Sequence, residues 1–232
     1  MAEPIWQELG DARSVVNVGA GAGSYEPPDR EVTAVEPSEI MIRQRPPGAA
    51  KAVQAVAEEL PFADDSFDAA MAILTLHHWS DVEAGLAEMI RVARRRVVVV
   101  TFDDDVWAEQ WIVRDYLPEV MTCFEPSLPS VRRVLGTLPE AVVQPLLAPR
   151  DCTDRMFATL WARPEQYLDP HVRAATSIWY QLPPAVSARA LARLRDDLAS
   201  GAWDGRNGHL RTAPSWDVGL RLIRAELAAN AH

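Results

Sequence analysis

The chain has 232 residues, 48% hydrophobic and 24% charged, with a formal net charge of −10. That size suits one α/β domain with an insertion, and the acidic balance argues against a nucleic-acid substrate, which would need a basic face to grip phosphates. No apolar run reaches membrane-spanning length, MAEPIWQELG lacks a signal-peptide pattern, and Cys123 and Cys152 offer neither a disulfide framework nor zinc spacing, so a reducing cytoplasm is the expected location.

In chain order, residues 4–10 read as the tail of a helix closed by Gly10. Strand 1 is expected at about 14–18, running into VVNVGAGAG, and strand 2 at 31–35 (EVTAV). PSEIMIRQR suggests a short helix with Ser38 as N-cap. A short third strand is expected at 52–56, then a loop, LPFADDSFD, then strand 4 as DAAMAILT, whose continuous apolar run suits burial on both faces. Residues 81–94 show helical periodicity, with Val82, Leu86, Met89, Ile90 and Ala93 on one face, and RVVVVTF is strand 5.

Residues 104–138, carrying Trp107, Trp111, Tyr116, Met121, Cys123 and Phe124 among prolines, read as a helical insertion. Strand 6 is expected at 141–148, a helical stretch at 153–200 broken by Pro183 and Pro184, and a last strand within WDVGLRLIRAEL. The alternation of strands and helices predicts a Rossmann-like, doubly wound, mostly parallel seven-stranded sheet. The expected organisation is a single domain over 1–232, with 104–138 and 153–200 as helical insertions capping a substrate site.

An apolar run that breaks into alternating glycines predicts a buried strand turning sharply into a helix. Gly19, Gly21 and Gly23 tolerate positive φ and leave room for a ligand, and the helix start would offer N–H groups to an anion. Strand 2 delivers Glu36 to the same sheet edge, where a carboxylate can accept both hydroxyls of a ribose. The pair predicts a nucleoside-containing cofactor. A dinucleotide is disfavoured, because Ser24 stands where the third glycine of G-x-G-x-x-G belongs. The alternative is a glycine-rich turn without a ligand.

Four stretches narrow the choice: VVNVGAGAGSYEP, TAVEPSEIMIRQR, AEELPFADDSFDAAMAILTLHHW and EMIRVARRRVVVVTFD. In this order and spacing, over roughly 12–103, the chain resembles the class I S-adenosylmethionine-dependent methyltransferases of the small-molecule, quinone-biosynthesis type. The resemblance implies that Gly19, Ala20 and Gly21, with Gly23, line the methionine portion of the cofactor, and that Glu36 binds the ribose. It also implies that Pro37, Ser38 and Met41 border the adenine, that Ala57 and Glu58 edge it, and that Leu74 and Thr75 lie beneath the sulfonium. Two departures stand out. Val56 replaces an acidic residue that many relatives carry, and only 18 residues precede the glycine loop where many relatives have a helical lid. The expectation is a more open methionine end, with weaker cofactor affinity or with closure by residues 104–138 or by a second subunit in a homodimer.

Methyl transfer from a sulfonium is an in-line displacement, so the chain must align the acceptor, exclude water and, for a hydroxyl or protonated amine, remove a proton. His77 and His78 follow strand 4 directly and are the candidate bases, His78 ahead; they could equally cap the strand. Trp79, Asp103, Trp107 and Trp111 are candidate acceptor-site residues, with core filling as the alternative for the tryptophans and helix capping for Asp103. No metal site is expected, and His171 and His209 stand alone. The implied activity is methylation of a small organic acceptor, leaving S-adenosylhomocysteine. The alternatives are a non-catalytic module binding either form of the cofactor and, less favoured, an NAD-dependent oxidoreductase.

Overall fold

A computed structural model describes residues 1–124, 131–138, 140–154 and 156–227. Seven strands form the principal sheet: β1 (Ser14–Val18), β2 (Glu31–Val35), β3 (Lys51–Val53), β4 (Phe67–Ile73), β5 (Ala93–Phe102), β6 (Val142–Pro145) and β7 (Leu220–Glu226). Their order is β3-β2-β1-β4-β5-β7-β6. β1 pairs parallel with both β2 and β4, β2 with β3 and β4 with β5, while β6 and β7 run antiparallel. Strand order reverses between β1 and β4, so their C-terminal ends open a crevice where open α/β sheets take ligands.

The central strands are apolar because both their faces are covered. Val15, Val16 and Val18 of β1 and Val97 to Val100 of β5 are fully buried. One face carries α3 (Val82–Val92), whose Leu86, Met89 and Val92 pack with Val16, Val18, Ala70, Val97 and Val99. Asp81 caps α3 through the Ala84 N–H at 3.0 Å. The expected helix extended to residue 94, but Ala93 already begins β5, so helix passes into strand without a linker. Arg91 at the end of α3 donates to Glu88, Asp64 and the carbonyls of Leu60 and Phe62, fixing the loop before β4.

The expected helix after β1 is corrected. The chain runs from β1 to β2 through turns and no helix, because Gly23 at φ 97° and Tyr25 at φ 65° leave helical geometry and two prolines follow. The third strand is shorter than expected and begins one residue earlier, and strand 6 ends at Pro145. The N-terminal helix α1 (Ala2–Glu8) is tied to the β1–β2 connection. Trp6 Nε1 donates to the Tyr25 carbonyl at 2.8 Å, and Arg30 donates back to the Trp6 and Ala12 carbonyls.

The chain divides into two compact units. The sheet unit comprises Ala2–Phe102, Ser127–Pro145 and Arg221–His232; the second comprises Met1, Asp103–Pro126 and Leu146–Leu220. The expected insertion 104–138 is therefore split, and the helix Val131–Thr137 belongs with the sheet, where Val134 joins the core and Arg133 pairs with Glu83. The second unit has its own aromatic core. Trp111 meets Tyr116, Tyr167 and Trp203 edge-on at centroid distances of 5.8, 5.5 and 5.2 Å. Its longest helix, Pro184–Ser200, ends at Gly201 in the left-handed region. A two-residue ladder, Ala148–Pro149 against Ser215–Trp216, was not anticipated. Among the described residues, no helix is long and apolar enough to cross a membrane.

Candidate cofactor and active site

The C-terminal ends of β1, β2 and β4 meet by a repeated backbone device, in which each departing loop hooks onto its neighbour. Gly19 and Ala20 N–H donate to the Val35 carbonyl at 2.8 and 2.9 Å, Glu36 N–H to Val53, and Leu74 N–H to Val100. Gly19, at φ 72°, cannot be replaced without strain. A Cβ there would collide with the Thr75 hydroxyl, so the glycine is what lets the β1 and β4 ends approach.

Glu36 is buried at 7% exposure. Its Oε2 accepts the Gly21 N–H at 2.8 Å and its Oε1 the Ser38 N–H at 2.9 Å. A carboxylate oxygen carries two acceptor positions, so each keeps one for a vicinal diol. Ser38 also caps α2 (Glu39–Arg43) through the Met41 N–H at 3.3 Å, as expected. A Cβ on Gly21 would lie 3.4 Å from Met41 Cε, which leaves the loop open over an apolar wall. Ile40 and Val56, at 67% and 46% exposure, are large apolar side chains left facing solvent at the ends of β2 and β3. A nucleoside fits this donor set: an acidic anchor for the sugar, glycines without side chains and apolar edges for a base.

Glu58 is turned elsewhere. Its Oε1 accepts from the Ser80 N–H and hydroxyl at 2.7 and 2.9 Å and from the Asp81 N–H at 3.0 Å. Burial pushes this carboxyl up, but the hydrogen bonds from Asp81 and Ser80 outweigh it and hold the group below its ordinary range. Glu58 thus ties the turn after β3 to the start of α3, and Ala57 beside it is buried. Trp79 packs over Gly85 of α3, where a Cβ would strike its ring. It is an anchor for the histidine turn as well as a candidate wall.

Leu74 takes φ 56°, a conformation that costs a branched side chain about 1–3 kcal/mol and is characteristic of functional turns. It swings the chain into the short 3₁₀ turn Leu76–His78. The His77 and His78 rings lie 3.9 Å apart, and His77 meets Phe102 edge-on at 5.9 Å. Burial, with the neighbouring His78, lowers His77 to about 4, so it is neutral at neutral pH. His78 is exposed.

The structure brings together Gly19, Gly21, Glu36, Ser38, Met41 and Thr75 in one edge. Asp103, Trp107 and Trp111 belong to the second unit. Asp103 caps the helix Asp104–Ala108 through the Val106 N–H at 3.4 Å. Trp107 and Trp111 are buried within that unit, where Trp111 Nε1 donates to the Trp161 carbonyl at 2.9 Å. Asn17, Glu26 and Arg45 were missed. The signal was available: Asn17 interrupts an otherwise apolar buried strand and needs a partner.

Residues 16–101 match the family described as Methyltransferase domain. Over these residues, about a third of the chain, the sequence is similar to a methyltransferase domain. Among curated relatives, demethylmenaquinone methyltransferase of Streptomyces avermitilis is 33% identical over 90 residues, covering 38% of this chain and 36% of that protein. The match therefore spans about a third of that relative's length. Over the whole methyltransferase fold, a protein of Anabaena variabilis described as a methyltransferase from an antibiotic biosynthesis pathway superposes with TM-score 0.87 at 29% identity, covering 97% of this chain and 96% of that one. The geranyl diphosphate C-methyltransferase of Streptomyces coelicolor shares the methyltransferase fold, with TM-score 0.53 at 15% identity over 98% of this chain and 75% of that one; its crystal structure contains S-adenosyl-L-homocysteine.

Proposed function

We propose that this protein methylates a small organic acceptor with S-adenosylmethionine. The observation that carries the reading is Glu36, a buried carboxylate that orders the glycine loop through Gly21 while keeping acceptor capacity for a ribose. Bound S-adenosylmethionine supplies an electrophilic methyl group on sulfur with its leaving group already built. Gly19, Ala20, Gly21 and Gly23 give the methionine part a surface without side chains, Glu36 holds the sugar, and Pro37, Ser38, Met41, Ala57 and the Glu58 backbone border the base. Leu74 and Thr75 form the floor at the end of β4.

Of the two histidines, His78 is the better base. His77, lowered to about 4 by burial, is a weak proton acceptor at neutral pH, whereas His78 is exposed at the end of the same turn. His77 then serves as the neutral, half-buried ring against which His78 rests. Each unit keeps its own acceptor candidates, Trp79 in the sheet unit and Asp103, Trp107 and Trp111 in the second, with the buried packing of Trp107 and Trp111 weighing toward a supporting role.

Calorimetric titration with S-adenosylhomocysteine tests the cofactor half of the proposal, and a methyl-acceptor screen followed by mass spectrometry tests the reaction. Heat with the nucleoside but no turnover on any acceptor class would favour a non-catalytic binding module. Heat only with NAD would favour an oxidoreductase.

A further inference from the structure

The glycine loop lacks the helix that would ordinarily brace it, yet it holds three glycines at positive φ. Something else must fix it, and the candidates are the polar groups beneath. Arg45, just past α2, donates to the Gly21 carbonyl at 3.1 Å, to Glu26 Oε1 at 2.6 Å and to the Ala50 carbonyl at 3.1 Å. Glu26 Oε1 also accepts from Asn17 Nδ2 of β1 at 3.4 Å, and Oε2 from the Ala50 N–H at 3.3 Å. The guanidinium lies 3.4 Å from where a Cβ on Gly23 would stand. The two side chains are 5% and 11% exposed.

A buried ion pair is poor evidence of stability, since the desolvation of both charges opposes their attraction, and apolar pairs of similar size often serve as well. What an apolar pair cannot do is hold a carbonyl. Gly21 is gripped on both sides of its Cα, its N–H by Glu36 and its C=O by Arg45. The first grip comes from the residue that takes the ribose, the second from a pair that reaches β1, the β1–β2 connection and the segment before β3. We propose that Glu26 and Arg45 are positioning residues, which set the Gly21–Gly23 backbone and the Glu36 carboxylate for S-adenosylmethionine in place of the missing helix. This inference rests on the cofactor reading above.

The test compares wild type, Arg45→Met, Arg45→Lys and the double variant Glu26→Met/Arg45→Met. S-adenosylhomocysteine affinity is measured well below each melting temperature, alongside amide exchange at the glycine loop and at α3. Arg45→Met is expected to weaken binding at least about ten-fold, equivalent to roughly 1.4 kcal/mol, and to speed exchange at the loop while α3 stays protected. The double variant is expected to recover melting temperature without recovering affinity. Arg45→Lys, which keeps the charge but cannot span three acceptors, is expected to fall between wild type and Arg45→Met. A folded double variant that binds as tightly as wild type would make the pair merely structural and overturn the inference, as would loop exchange unchanged in both Arg45 variants. Wild type that binds no S-adenosylhomocysteine would instead overturn the cofactor reading, while the exchange comparison still decides whether the clamp exists.

Discussion

Glu36 was legible because its chemistry and position coincide: an acidic residue at the end of an apolar strand, one strand away from a glycine run. The sequence does not show that both its oxygens are already half occupied by Gly21 and Ser38. Glu36→Gln is therefore expected to act twice, removing an anchor for the sugar and loosening the loop. Charged-group hydrogen bonds contribute about 1.5–3 kcal/mol each, so cofactor affinity should fall at least about ten-fold by calorimetry. The left-handed Leu74 was not legible, since φ is set there by the join of β4 to the histidine turn rather than by residue preference. His77 gives a pH prediction. In the folded state it titrates at about 4 against a usual 6.5, so between these values the unfolded chain binds the extra proton. Stability is then fully present above about 6.5 and is lost as pH falls toward 4. Thermal melts across that window should show the melting temperature falling with pH in the wild type, and less steeply in His77→Phe. His78→Ala is expected to lower kcat at least about a hundred-fold, the lower end for loss of a general base. The methyl-transfer assay checks this, with cofactor affinity preserved.

At the scale of elements, hydrophobic pattern found the sheet because β1, β4 and β5 are covered on both faces and read as unbroken apolar runs. The missed features are those fixed by long-range contact. The β1–β2 connection resembled a helix start in its glycines, but Gly23, Tyr25 and the following prolines send it through turns. Its bracing residues Glu26 and Arg45 are 19 positions apart, a spacing that carries no local signal. Gly19→Ala should cost both strain and space against Thr75; loss of cofactor binding with a lowered melting temperature is the expected result. Asp68, at the start of β4, ties three strands together. It accepts from the Arg13 and Ser14 N–H groups at 2.8 and 3.1 Å and from Arg94 at 2.9 Å. Burial pushes it up, but these partners and Arg95 prevail and hold it far below the carboxylate range. Its contribution is present above the unfolded value near 3.8 and is lost as acid protonates the folded form. Asp68→Asn should cost about 1–3 kcal/mol in denaturant melts at neutral pH and flatten the acid limb of the stability curve.

At the scale of the molecule, the division of labour was partly visible. The sheet unit matched ordered motifs, whereas the second unit offered only composition. Core filling was the expectation for most of its tryptophans, with Trp107 and Trp111, four apart on one helical face, as pocket candidates. The edge-on packing of Tyr116, Tyr167 and Trp203 around Trp111 builds an aromatic core within that unit. Trp111→Ala should destabilise that unit by about 3–5 kcal/mol, visible as an earlier calorimetric transition. The proposed reaction requires the sheet edge to hold the methyl donor. The most direct measurement is titration of S-adenosylhomocysteine into wild type and Glu36→Gln under the same conditions. Saturable one-to-one binding by the wild type, weakened at least about ten-fold in the variant, is the predicted result. No binding by the wild type, or equal binding by both proteins, would contradict it.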